Sequence, residues 1–113
     1  MGESGVLHVK AETADVSAPE QGMLRQVLAY SPNMMLVRHQ LTRGWVGSSH
    51  RHPHEQLIYV VSGRIEFVGD GETFDLRPGD SVLVKENIEH QAMALEDSEV
   101  LDVFAPYRED YAP

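Results

Sequence analysis

Apolar residues in this chain recur at every second position in short runs, broken at close intervals by glycine, proline and asparagine. Alternate positions of an extended strand share a face, so a period of two predicts β-structure. Residues 23–29 and 34–41 form two such runs around Tyr30-Ser31-Pro32-Asn33, where proline presets φ and asparagine tolerates unusual backbone angles. In the second run Met35, Val37, His39 and Leu41 fall on one face, with Leu36, Arg38 and Gln40 on the other. The apolar company of His39 marks it as a packed histidine rather than a ligand. Further strands are predicted at 57–61, 65–68, 72–76, 81–85, 90–95 and 99–104. Their punctuation is Ser62-Gly63, Gly69-Asp70-Gly71 and Arg77-Pro78-Gly79-Asp80, and the Pro-Gly pair suits a type II turn. Residues 6–10 alternate and predict an edge strand, while 11–21, with Pro19 and scattered acids, reads as an ordered loop or arm. No period of 3.6 persists beyond a turn or two, so the chain is all-β, with about nine to eleven short strands in a sandwich or barrel.

At 113 residues the chain is one domain, able to bury about two-thirds of its unfolded surface. Residues 1–21 are expected to form an N-terminal strand and arm, and 22–113 a barrel with a C-terminal tail. The formal charge of -9, from nine basic and eighteen acidic residues, repels phosphate backbones and anionic lipid heads. Nucleic acid and membranes are therefore not expected as partners. No apolar segment approaches the roughly 20 residues that span a bilayer, and the amino terminus lacks the pattern of a secretory signal, so a cytoplasmic location is expected. Without cysteine there is neither disulfide nor thiolate metal site, and any ion must be held by imidazole, amide or carboxylate.

The chemistry concentrates in 44–63, GWVGSSHRHPHEQLIYVVSG, where three of the six histidines lie within five residues. On an extended strand His50 and His52 share a side about 6.6–7 Å apart, a spacing at which two imidazoles converge on one ion. Pro53 then bends or stops the strand, so His54 does not continue that face. Gln56 opens the following apolar run, and its amide oxygen can swing to the same point. His90 stands far away in sequence, where an antiparallel barrel can return it beneath His50 and His52. His8 is read as a solvent or core histidine, and Trp45 as a cap on the barrel more than a sugar platform. Met34, Met35 and Met93 are read as core filling more than as a pocket lining.

From Gly44 the spacing G-x5-H-x-H-x3-Q-x6-G, through His50, His52, Gln56 and Gly63, resembles the first motif of the cupins, with glutamine at the usual glutamate position. The second motif, G-x5-P-x-G-x2-H-x3-N, is met at Gly79 and His90, while Lys85, Asn87 and Ala94 depart from it. The resemblance implies a single-domain jelly-roll, a double-stranded β-helix, holding one divalent metal on His50, His52, Gln56 and His90, with His54 not a ligand. Iron, nickel, zinc, cobalt and manganese all suit such donors. Three imidazoles and an amide leave the ion's charge uncompensated, which favours an anionic substrate. Small cupins of this kind commonly pair, so a homodimer is implied, with the amino-terminal strand able to cross to a neighbour.

A narrower resemblance runs through His50-Arg51-His52-Pro53-His54-Glu55-Gln56, through Leu28-Ala29-Tyr30 with Asn33-Met34-Met35, and through the ending from Asp102 to Tyr111. From about residue 22 onward the chain is similar to the KdgF family, the uronate-linearising cupins of pectin and alginate breakdown. Those relatives convert 4,5-unsaturated monouronates to linear keto forms by ring opening and keto-enol tautomerisation. Carried over, the resemblance implies Asp102 as catalytic acid/base, Arg108 as its partner at the substrate and Phe104 as pocket lining. The reaction needs a proton taken from oxygen and one delivered to carbon, which a carboxylate can do. Arg108 has a planar fork that suits a uronate carboxylate, or else pairs with Glu109, Asp110 or Asp102 in a closing tail. Two other functions fit the same motifs: a metal-dependent dioxygenase of a small molecule, and a non-catalytic sugar-binding or sensing cupin.

Overall fold

The computed structural model describes residues 5–113. Nine strands follow one another: β1 (Val16–Glu20), β2 (Met23–Ser31), β3 (Met34–Leu41), β4 (Glu55–Ser62), β5 (Ile65–Gly69), β6 (Glu72–Leu76), β7 (Ser81–Val84), β8 (His90–Ala94) and β9 (Ser98–Ala105). They form a six-stranded sheet in the order β1-β2-β3-β9-β4-β7 and a three-stranded sheet β6-β5-β8, with every pairing antiparallel. The all-β expectation holds. No helix is long and apolar enough to cross a membrane among the described residues.

The alternation read from sequence on β3 is the alternation of its burial, and β9 and β4 are buried with the same period. On β3, Met35, Val37, His39 and Leu41 are buried, and on β9 so are Ser98, Val100, Asp102 and Phe104. On β4 the inward set is Gln56, Ile58 and Val60. Two apolar clusters result. The larger joins Met23, Leu41, Ile58, Val60, Val100 and Phe67 among others, and the smaller is Met35, Val37 and Phe104, covered by Tyr30, Tyr107 and Tyr111. Met34 is exposed and Met35 lies in the second cluster, so neither lines the cavity described below.

The turns follow their chemistry. Asp70 and Gly71 both have positive φ and join β5 to β6, with Gly69 opposite Glu72, as a two-residue hairpin requires. Pro78-Gly79 makes the expected tight turn: Gly79 has φ +92, and the Asp80 amide donates to the Arg77 carbonyl at 2.9 Å.

The amino-terminal expectation is corrected. Residues 6–10 form no strand, and the edge strand is β1, inside the stretch read as loop or arm. Proline argues against a central strand but is tolerated at a sheet edge, where Pro19 needs no ladder partner; the register shifts between Ser17 and Glu20. The preceding arm is held by Gln26, whose amide Nε2 donates to the Ala11 carbonyl at 2.6 Å and the Ala14 carbonyl at 3.2 Å. His8 is exposed.

Gly63, the last residue of the first motif, has φ +87, and a β-carbon there would collide with Ser98 Oγ and the Asp97 carbonyl. Left-handed backbone costs an L-residue about 1–2 kcal/mol and forced overpacking about 1–3 kcal/mol more. Gly63→Ala is therefore expected to lower stability by roughly 2–4 kcal/mol in a denaturant titration, with an unchanged m-value.

Candidate metal centre and active site

The segment from Gly44 to His50 is an irregular strand that completes the small sheet alongside β8. Gly44 donates to the Ala94 carbonyl, Gly47 to that of Ala92, and the His50 and His90 backbones exchange both N–H···O bonds, at 3.0 and 2.8 Å. That pairing sets His50 against His90. His52 follows in a loop whose carbonyl accepts from the Asn87 amide at 2.8 Å, and Gln56 opens β4. One ring nitrogen from each of His50, His52 and His90 lies within 4.8 Å of the others.

Each of these rings is oriented by a backbone carbonyl at Nδ1. His50 meets Ser48 O at 2.9 Å, His90 meets Ile88 O at 2.8 Å, and His52 meets His54 O at 3.1 Å. A proton on Nδ1 leaves Nε2 as a lone pair, the arrangement by which ligating histidines are fixed. His90 Nε2 is buried with no partner. At His52 the conflict is sharper, because Nε2 also faces an acceptor, Gln56 Oε1, at 3.0 Å. The Gln56 amide cannot turn away from it, since Nε2 donates to Asp102 Oδ1 at 2.8 Å. Burial, followed by the Arg108 charge, pushes His52 down to about 4, and burial lowers His90 as well, so both rings are neutral at pH 7. One proton on His52 cannot satisfy two acceptors. A cation between His52 Nε2 and Gln56 Oε1 removes the conflict, so the donor set fits a metal ion.

Asp102 is 4% exposed on β9, beside this cluster. Its Oδ1 accepts from Gln56 and its Oδ2 lies 2.7 Å from His39 Nδ1. Arg108 does not pair with it. The Arg108 fork is taken by Asp110, with Nε and Nη2 at 3.0 and 2.8 Å from the two carboxylate oxygens, while Nη1 is buried and unpartnered. The guanidinium lies over the rings of Phe104 and Tyr111, at 5.1 and 4.1 Å. A cavity of about 250 Å³ connects these groups, lined by His50, His90, Gln56, Asp102, Phe104 and Arg108. Trp45 also lines it, packs on the larger core cluster, and donates from Nε1 to Glu20 at 2.6 Å.

A family model described as a cupin domain matches residues 37–104. The pectin degradation protein KdgF of Dickeya dadantii (strain 3937) is 35% identical over 92 residues, 80% of this chain and 84% of that protein. The solved structure of KdgF from Halomonas sp. superposes with a TM-score of 0.90 at 37% identity, over 95% of this chain and 99% of that one. This chain belongs to the KdgF-like cupins. An RmlC-like cupin from Shewanella frigidimarina NCIMB 400 is also similar, with a TM-score of 0.89 and 30% identity over 93% of this chain and 95% of that one. The two sheets are thus the cupin jelly-roll inferred from the motifs.

In this cupin His50, His52 and His90 come together with Gln56 beside them, although proline, glycine and asparagine of the second motif are replaced. His54 stands outside the three-histidine group. His39 is buried as expected and outside that group too, yet it belongs to the site through Asp102. Sequence reading passed over Arg25 and Tyr111. Both line the cavity, and the Arg25 guanidinium lies 3.6 Å from the Tyr111 ring centroid. The one signal for His39 was a polar residue on an otherwise apolar strand face.

Two outcomes follow from this geometry. His90→Ala should abolish stoichiometric metal binding, read by elemental analysis after dialysis, with the fold retained by circular dichroism. Because His52 is depressed in the folded state, the unfolded chain binds the extra proton between its own pKa of about 6.5 and about 4. Metal-free protein should therefore lose stability as pH falls through that window, by up to about 3 kcal/mol from His52, and His52→Gln should flatten the dependence.

Proposed function

We propose that this cupin is a metal-dependent enzyme that converts 4,5-unsaturated monouronates from pectin or alginate breakdown to their linear keto forms. Its supporting observation is a buried carboxylate, Asp102, sharing one small cavity with His50 and His90 of the three-histidine cluster and with Arg108, whose Nη1 is unpartnered. A name that speaks of pectin degradation on a relative 35% identical over most of both chains supports the substrate class. The cavity, at about 250 Å³, is just below the usual size of sites for drug-sized ligands, which suits a single sugar ring.

Ring opening takes the proton of the anomeric hydroxyl, breaks the bond between the anomeric carbon and the ring oxygen, and leaves an aldehyde and an enolate. Delivery of a proton to the adjacent alkene carbon then gives the ketone, so no proton is gained or lost. Asp102 takes the first proton and returns it to carbon. Its two oxygens each accept one hydrogen bond and each keep a lone pair for this work. Arg108 binds the uronate carboxylate through Nη1, with Asp110 holding the rest of the fork, so the pairing is through one nitrogen and not both arms. Phe104 forms an apolar wall beneath that guanidinium and limits water around the charges. A divalent ion on His50, His52, His90 and Gln56, whether iron, nickel, zinc, cobalt or manganese, supplies Lewis acidity toward the sugar oxygens when bound.

We also propose that the protein works as a homodimer. Leu57, Tyr59 and Leu83 are exposed on the outer face of the large sheet, and Leu57 is registered with both Leu83 and Val103. Such a face suits burial against a second copy. Sedimentation should give twice the monomer mass, reduced by Leu57→Glu.

The deciding experiment follows a lyase-released unsaturated monouronate by proton NMR with metal-loaded protein. Loss of the cyclic form should exceed the spontaneous rate, vanish in His50→Ala, and fall at least about 10²-fold in Asp102→Asn with metal retained. Turnover accompanied by oxygen uptake would assign a dioxygenase, and saturable binding without turnover a sugar-binding cupin.

A further inference from the structure

Asp102 is an inner member of a hydrogen-bonded row that crosses four neighbouring strands of the large sheet. On β2, Arg25 is directly opposite His39 of β3, and Arg25 Nε donates to His39 Nε2 at 3.0 Å. On β3, His39 is registered with Val100, one inward position from Asp102 of β9, and its Nδ1 lies 2.7 Å from Asp102 Oδ2. On β4, Gln56 is registered with Phe104, one inward position to the other side, and reaches Asp102 Oδ1.

Arginine can only donate, so His39 Nε2 must be an acceptor. The ring then carries its one proton on Nδ1 and donates it to Asp102. A doubly protonated ring would set an N–H against the Arg25 N–H, and the other tautomer would set two lone pairs against each other at Asp102. Arg25 is itself held by the Tyr111 ring, whose centroid lies 3.6 Å from its guanidinium carbon, and Tyr111 meets His39 edge-on.

We infer that Arg25 and His39 are positioning residues for Asp102: Arg25 fixes the tautomer of His39, and His39 Nδ1–H fixes the carboxylate facing the cavity. Neither exchanges a proton with the substrate, because the only free lone pair of His39 is occupied by Arg25. This rests on Asp102 being the acid/base. It differs from mere core filling in requiring one donor at one place. Asparagine can put an amide nitrogen where Nδ1 stands, whereas glutamine extends toward the position of Nε2.

The test has two arms. In zinc-loaded, 15N-labelled protein, a long-range proton–nitrogen spectrum assigned with His39→Asn should show His39 with a proton on Nδ1 and a bare Nε2. Arg25→Met should shift the Nε2 resonance. In the uronate assay, His39→Ala should lower kcat by roughly 10²-fold with little change in KM or metal content, the scale expected when a catalytic group is misplaced by about 1 Å. His39→Asn should recover most of that loss and His39→Gln should not. A proton on Nε2, or equal rates for the asparagine and glutamine variants, would overturn the inference. Wild-type protein inactive on the uronate would instead overturn the proposed reaction, and the spectrum would still decide the tautomer.

Discussion

The site depends on a backbone constraint, the exchange of both N–H···O bonds between His50 and His90. A hydrogen-bonded antiparallel pair holds its Cα atoms about 5.5 Å apart with both side chains on one face. Residues 40 positions apart in sequence are thereby presented as neighbouring imidazoles able to serve one ion. The peptide groups carry this geometry, which is why the replacements at Lys85, Asn87 and Ala94 in the second motif leave it intact. Nδ1 contacts to carbonyls then turn each ring, so that the orientation of the donors as well as their position is set by main chain.

A polar row through the middle of a sheet is expensive unless each group has a partner. Here it separates two apolar clusters: Leu41, Ile58 and Val100 lie on one side of it, and Val37, Met35 and Phe104 on the other. His39, Asp102 and Gln56 satisfy one another across β3, β9 and β4, and Arg25 closes the end at β2. Three mismatches lie in or beside the cavity: His90 Nε2, the facing acceptors of His52 and Gln56, and Arg108 Nη1. The first two fit a cation and the third an anion. The row itself is satisfied from Arg25 to Gln56, and the open groups beside it are ones that a ligand would complete.

The carboxy-terminal tail finishes the cavity. Tyr111 lies between the guanidinium groups of Arg25 and Arg108 and edge-on to Phe104 and His39. Its ring shields two positive charges from each other and from water, and burial raises its own hydroxyl above the usual phenol range. Asp110, one residue earlier, holds the Arg108 fork. A tail segment rich in charge and aromatics is thus part of the cavity wall, and the anionic selectivity proposed for the site rests on it.

Much was determined by the sequence alone. Period-two alternation fixed which side chains of β3 share the apolar, inward face, because side-chain direction in a strand depends only on parity. Asp-Gly and Pro-Gly located turns because few residues accept positive φ, and the spacing of His50, His52, Gln56 and Gly63 located two of the three clustered histidines. Tertiary structure decided the rest. Whether Val16–Glu20 or residues 6–10 made the edge strand depended on pairing with β2, which weak alternation in either segment does not specify. Arg108 had three acidic candidates within reach of its stem, and only the path of the tail chose Asp110. His39 and Arg25 are 14 residues apart, and their bond exists because β2 and β3 pair in the register that sets them opposite. Parity tells which residues share a face, but the lateral neighbours on that face belong to other strands, and sheet order and register alone decide who they are.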